Sequence, residues 1–138
     1  MGVAERRMMR VDAGPAEAIV AGRFTMVTAG TRRIGVTRLQ NGALRAVRDR
    51  CPHKAASICQ GLIGGTWLPS APGELVYARE GEILACPWHA YEYDLVTGAE
   101  LFWPKGVGLR LYPTEEAEGR VFVLVPRNPR LIAPSAPL

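Results

Sequence analysis

The chain is short of the residues that many activities need. In 138 residues it has two histidines, His53 and His89, two lysines, Lys54 and Lys105, and three cysteines. An odd number of cysteines makes a poor disulfide framework. No stretch approaches the roughly 18 apolar residues of a membrane span. No segment keeps a 3.6-residue apolar period over about ten residues, which argues against a helical architecture. No glycine-rich dinucleotide fingerprint is present, so binding of a nicotinamide or flavin dinucleotide is not expected. Arg6-Arg7 could open a twin-arginine leader, but Arg10, Asp12, Pro15 and Glu17 interrupt any apolar region after it. Export is therefore not expected, and the reducing cytoplasm is the expected compartment.

The chain does have punctuation: 15 glycines and 11 prolines. Its length fits one domain able to bury a real core. Apolar content of 48% and charged content of 22% are those of a soluble globular chain. Charge is uneven. Residues 1–50 hold ten arginines against four acids, a net +6, while the remaining seven cations and nine acids give −2. The arginines are scattered, without a basic helix or interleaved aromatics, so nucleic acid is not an expected partner. A basic face and an ordinary solvated surface both remain open.

Four turn signals divide alternating apolar segments into expected hairpins. Asn41-Gly42 separates Ile34–Leu39 from Ala43–Asp49, and Glu80-Gly81 separates Leu75–Arg79 from Glu82–Ala85. Thr97-Gly98 separates Tyr91–Leu95 from Ala99–Trp103, and Glu118-Gly119 separates Val107–Thr114 from Arg120–Val125. The last of these segments is a nearly continuous apolar run, which predicts a central strand covered on both faces. A short helical turn is expected around Ala55–Cys59. The tail from Pro126 to Leu138 holds four prolines and should run irregularly. The expected fold class is all-β.

Both histidines and two of the three cysteines fall into two short boxes, Cys51-Pro52-His53 and Cys86-Pro87-Trp88-His89. A proline follows each cysteine and cannot donate a ladder hydrogen bond, so the chain leaves the sheet at each box. Two rigid loops on a β scaffold hold side chains at a fixed separation. Each box offers one sulfur and one nitrogen. From the residues alone, three readings stand: packed cysteines with incidental histidines, a structural zinc site, or a 2Fe–2S cluster. A zinc finger pairs like ligands on each element, whereas here each loop carries one of each kind.

The pattern Cys-x-His followed by Cys-x-x-His resembles the Rieske proteins. The resemblance extends through Cys86-Pro-Trp-His-Ala-Tyr-Glu-Tyr-Asp-Leu-Val-Thr-Gly98 and through Ala46–Arg50 before the first box. It implies a Rieske-type antiparallel β-sandwich in a single domain, 1–138. The core would lie at about 20–125, with a small cluster-binding subdomain of two loops at about 50–104. It implies one 2Fe–2S cluster, with Cys51 and Cys86 on the inner iron and His53 and His89 on the outer. Imidazoles in place of thiolates remove negative charge, so Rieske potentials span roughly −150 to +300 mV against about −400 mV for all-cysteine plant-type clusters. The implied role is a one-electron carrier and not an enzyme: a ferredoxin component between an electron-donor reductase and an electron-acceptor oxygenase. No histidine is left for a mononuclear iron of two imidazoles and a carboxylate. A subunit of a larger oxidoreductase and a redox or iron–sulfur sensor are the alternatives.

Three departures refine the subtype. Pro87-Trp88 leaves no place for a second loop cysteine, and Cys59 lies too far along, so no loop disulfide is implied and Cys59 reads as a buried free thiol. Tyr91 stands where respiratory members have a serine, while Tyr93 matches a tyrosine that bonds a cysteine sulfur. Hydrogen bonds to sulfur raise the potential, so a low-to-intermediate value is implied. Thirty-two residues separate His53 from Cys86, about twice the family spacing. The extra length is expected to form an extended hairpin, either a lip for a partner or a neutral insertion. Doubling a loop costs only about 0.6 kcal/mol in closure entropy. Pro104 resembles the proline loop that covers the cluster. With it, Trp103, Trp88, Lys54 and Lys105 would form an apolar, positively charged docking rim.

Overall fold

Alternation along the strands, cut by tight turns, gives an all-β architecture. The computed structural model describes residues 8–52, 56–68, 71–74, 76–87, 91–102 and 105–127. Its strands are β1 (Met8–Pro15), β2 (Thr25–Ala29), β3 (Arg32–Arg38), β4 (Leu44–Arg48), β5 (Leu62–Leu68), β6 (Val76–Ala85), β7 (Glu92–Asp94), β8 (Leu111–Tyr112), β9 (Thr114–Ala117) and β10 (Arg120–Pro126). Short 3-10 turns occupy Ala16–Ala18 and Ile58–Gln60. The strands form three sheets among the described residues, ordered β1-β10-β9, β2-β3-β4-β8 and β5-β6-β7. Every pairing between named strands is antiparallel.

The β2-β3-β4-β8 sheet is the middle layer. Successive side chains of a strand point to opposite faces, and here both faces are covered. Ile34, Val36 and Ala46 join Val121, Val123 and Val125 of β10 in one core. Leu39 and Val47 join Leu84, Tyr93 and Leu95 in a second core, shared with the β5-β6-β7 sheet. Fully burying a valine, leucine or isoleucine is worth about 1.5–3 kcal/mol, so this division of residues anchors both outer layers.

The Asn41-Gly42 hairpin forms as expected. Arg38 pairs with Leu44, and the Leu39 N–H donates to the Ala43 carbonyl at 2.8 Å. The Glu80-Gly81 signal is corrected: β6 runs straight through it. Residues 79–82 bulge opposite Gly65, because β5 pairs with β6 on both sides, Gly64 with Ile83 and Thr66 with Ala78. Arg79 and Gly81 take positive φ there, 62° and 85°, the conformations a bulge requires. The hairpin of the long spacer is instead β5 with β6, whose first arm, Leu62–Leu68, was not among the expected strands.

Around Thr97-Gly98 the second arm contributes only a bridge, Tyr93 with Glu100. The expected arm Val107–Thr114 is split at Pro113, so that β8 pairs with β4 while β9 pairs with β10. The expectation for β10 also needs correction. It is central in its sheet, but only Val121, Val123 and Val125 are buried. Its other face is half-covered, with the Arg10 guanidinium 3.7 Å from the centre of the Phe122 ring. Residues 128–138 of the proline-rich tail lie outside the described residues.

This facing predicts unequal costs along β10. Val123→Ala should cost about 2 kcal/mol as a cavity in the first core, and Leu124→Ala about half that. Thermal melts of the two variants check the order.

Candidate metal centre

The cysteines of the two boxes are anchored alike. Cys51 follows β4, and its N–H donates to the Ala56 carbonyl at 2.8 Å. Cys86 follows β6, and its N–H donates to the Tyr91 carbonyl at 2.7 Å. In each case the acceptor lies five residues on, so two loops of equal length close on their own cysteine. The sequence places His53 in the first closed loop and His89 in the second; both histidines, with Lys54, Trp88, Trp103 and Pro104, lie outside the described residues.

Both thiols are buried, at 0% and 2% exposure, and belong to the second core. Tyr93 of β7 is also fully buried there. Its hydroxyl lies 3.7 Å from the Cys51 sulfur, within reach given sulfur's large radius. Burial, then the Cys51 contact and the nearby Glu100 and Cys86, push the Tyr93 phenol well above its ordinary range. The phenol therefore stays protonated, able to donate to the Cys51 sulfur or, where that is a thiol, to accept from it. Among the described residues no group of three metal-ligating side chains occurs, since the described part of the boxes contributes only the cysteines. Lys105 is exposed.

Sequence reasoning missed the group that shapes the first loop. Asp49 lies two residues before Cys51, with its side chain 1% exposed. Its oxygens accept from the Ser57 hydroxyl at 2.7 and 2.8 Å, from the Cys59 N–H at 2.8 Å and from Arg33 Nε at 3.3 Å. Burial works to raise its carboxyl pKa, but the bonds from Cys59, Ser57 and Arg33 outweigh it and hold the group below the usual carboxylate range. The loop is thus tied at both ends, by Asp49 before Cys51 and by Ser57 and Cys59 after it. An acid followed by a serine eight residues later was the available signal, too common to be read alone.

Gly61 fixes the second loop against the first. A Cβ at this position would collide with the carbonyl of Ala85, the residue before Cys86. Cys59 itself is corrected from buried to partly buried. Its sulfur packs where a side chain at Gly35 would sit. Burial and the neighbouring Asp49 charge push its thiol well above the ordinary range. On the spacer hairpin, Trp67 is 60% exposed and meets Tyr77 edge to face at 5.0 Å. Phe102, which sequence reasoning passed over, is 86% exposed.

An antiparallel β-sandwich with two matched loops bringing buried thiols into its second core has the design of an iron–sulfur protein. Soft sulfur donors with a hydroxyl held against one of them fit the thiolate side of such a group. The chain belongs to the Rieske [2Fe-2S] domain family, whose model matches residues 9–113. Its cofactor is accordingly one Rieske-type 2Fe–2S cluster. The chain is 29% identical over 129 residues to the anthranilate 1,2-dioxygenase large subunit of Burkholderia cepacia, covering 87% of this chain and 30% of that one. It is 29% identical over 85 residues to the 3-phenylpropionate/cinnamic acid dioxygenase ferredoxin subunit of Photorhabdus laumondii, covering 62% of this chain and 67% of that one. The solved structure of the Sphingomonas yanoikuyae B1 ferredoxin superposes with a TM-score of 0.64 at 20% identity, over 86% of this chain and 100% of that one. That likeness concerns the fold.

Asp49→Ala should strand the Ser57 hydroxyl and the Cys59 N–H without an acceptor, at about 2–4 kcal/mol. Iron per chain should fall with it, and Asp49→Asn, which keeps one acceptor, should lie between. Metal analysis beside thermal melts reads both effects.

Proposed function

We propose that this chain is a one-electron carrier, the ferredoxin component of an oxygenase system. In this reading Cys51 and Cys86 hold the inner iron and His53 and His89 the outer. Residues 1–138 form one domain whose cluster-binding part spans about 50–104. The observation that carries the reading is the pair of equal loops, each closed on a buried cysteine, with Tyr93 against one sulfur. The cluster, when bound, supplies one-electron storage. The protein's own residues set its surroundings: the second core keeps water from the sulfurs, and Tyr93 donates a hydrogen bond to Cys51. The partners are an electron-donor reductase and an electron-acceptor oxygenase, the latter class named in the matched ferredoxin subunit. No helix among the described residues is long and apolar enough to cross a membrane; the cytoplasm is the proposed compartment.

A second reading has its own observation. The chain matches 129 residues of a dioxygenase large subunit but spans only 30% of it. An electron-transfer domain held permanently within a larger oxidoreductase would match in this way. Gel filtration of native extract separates the two, because a permanent subunit elutes only in the larger complex.

EPR of the dithionite-reduced protein, with iron and acid-labile sulfide assays, tests the central claim. A Rieske signal with two irons and two sulfides per chain is expected; a colourless, zinc-containing protein would sink it. Tyr93→Phe should lower the potential by about 40 mV, which is about 1 kcal/mol for one electron. Voltammetry reads that shift, and an unchanged value would mean that the Tyr93 hydroxyl does not tune the cluster.

A further inference from the structure

Four of the ten arginines in the first 50 residues line one place. A surface depression of about 130 Å³ is lined by Thr31, Arg32, Arg33, Arg48, Asp49 and Arg50. In sequence these residues form two runs, and antiparallel pairing of β3 with β4 brings them together. Ile34 stands opposite Arg48, and the Asp49 N–H donates to the Arg33 carbonyl at 2.8 Å.

The one acid present is already engaged. Asp49 is buried and accepts from Ser57, Cys59 and Arg33. Arg33 is itself 60% exposed. Arg48 and Arg50 are exposed, with no side-chain hydrogen bond or ion pair among the described residues. Arg32 donates through Nη2 to the Pro126 carbonyl at 2.9 Å, while its buried Nε has no acceptor. The residues lining the depression thus carry four guanidiniums and one carboxylate, and only the guanidinium of Arg33 is paired with that carboxylate.

We infer that this arginine shoulder is the docking surface for the acidic face of an electron-transfer partner. The inference rests on the proposed role of Cys51, since Arg50 directly precedes it and a partner seated on the shoulder adjoins the first loop. Planar guanidiniums pair with carboxylates through two parallel bonds. A patch with excess cationic charge speeds encounter and fixes orientation more than it adds affinity. Nucleic acid is the poorer fit. The depression is small and has no aromatic lining, and the described residues contain no recognition helix.

The test uses the cluster-loaded protein and dye-labelled flavodoxin, an acidic one-electron flavoprotein, as the probe. Binding is followed by fluorescence anisotropy. The wild type should bind, and should weaken about tenfold between about 0.02 and 0.3 M salt. The double reversal Arg48→Glu, Arg50→Glu should weaken binding at low salt by about tenfold or more. Arg120→Glu, Arg127→Glu, an equal change in net charge on β10 and just beyond it, should change it less than about twofold.

Equal losses in the two variants would overturn the inference, since net charge alone would then explain them. So would no loss in the first variant, or no binding by the wild type. A DNA duplex or inorganic phosphate bound through Arg48 and Arg50 in place of flavodoxin would overturn it as well. The EPR signal of each sample is read separately. Its absence from the wild type would defeat the carrier reading, while its presence with unchanged binding would defeat only the docking surface.

Discussion

The alternation of side chains along β3 and β4 is the constraint on which the rest of the structure depends. Adjacent residues of the middle sheet serve different cores: Ala46 the first, Val47 the second. A one-residue slip in register would exchange those faces. It would also move Asp49 and Cys51 away from the second core. The boxes are therefore placed by the register of a sheet, and their chemistry depends on apolar packing that begins several residues earlier. The first core holds the β1-β10-β9 sheet, which leaves the opposite face of the middle sheet for the site.

Within the second core, equal loop closure turns two distant cysteines into neighbours of the same buried tyrosine. Each cysteine N–H is used on its own loop. This satisfies a donor that burial would otherwise leave costly, and it gives both loops the same span. Asp49 does for the first loop what Gly61 does for the second: one gathers donors from the returning chain, the other admits a backbone carbonyl that any side chain would exclude. Replacing either changes the placement of a cysteine without touching it.

How much of this was legible in the sequence depended on range. Asn41-Gly42 and Glu80-Gly81 present the same kind of local signal, yet one is a hairpin and the other a bulge. The difference lies in β5, which pairs with β6 on both sides of the bulge and was not recognised as a strand. Pro113 was read within one arm, although a residue lacking an N–H is a natural point for a strand to change sheets. β1 was missed because Arg10, Asp12 and Pro15 obscure the alternation of Met9, Val11 and Ala13. The boxes were legible because they are dense in chemistry. Asp49 and Gly61 were not, because their roles exist only once Cys59 and Ala85 are folded against them.

Cys51 and Cys59 are finally distinguished by electrostatics as well as by position. The thiolate is the form that binds metal or reacts, so in the proposed reading the thiol of Cys59 is the one to be kept out of competition. Cys59 is held protonated by burial and by the Asp49 carboxylate, to which its own N–H donates. The same carboxylate that shapes the loop of Cys51 thus disfavours the thiolate of Cys59. Cys51 is buried more deeply still, but its neighbour differs: a phenol that stays protonated lies 3.7 Å from its sulfur where Cys59 faces a carboxylate. In the proposed reading, a carboxylate beside Cys59 and a phenol beside Cys51 set the ligand cysteine apart from the spectator.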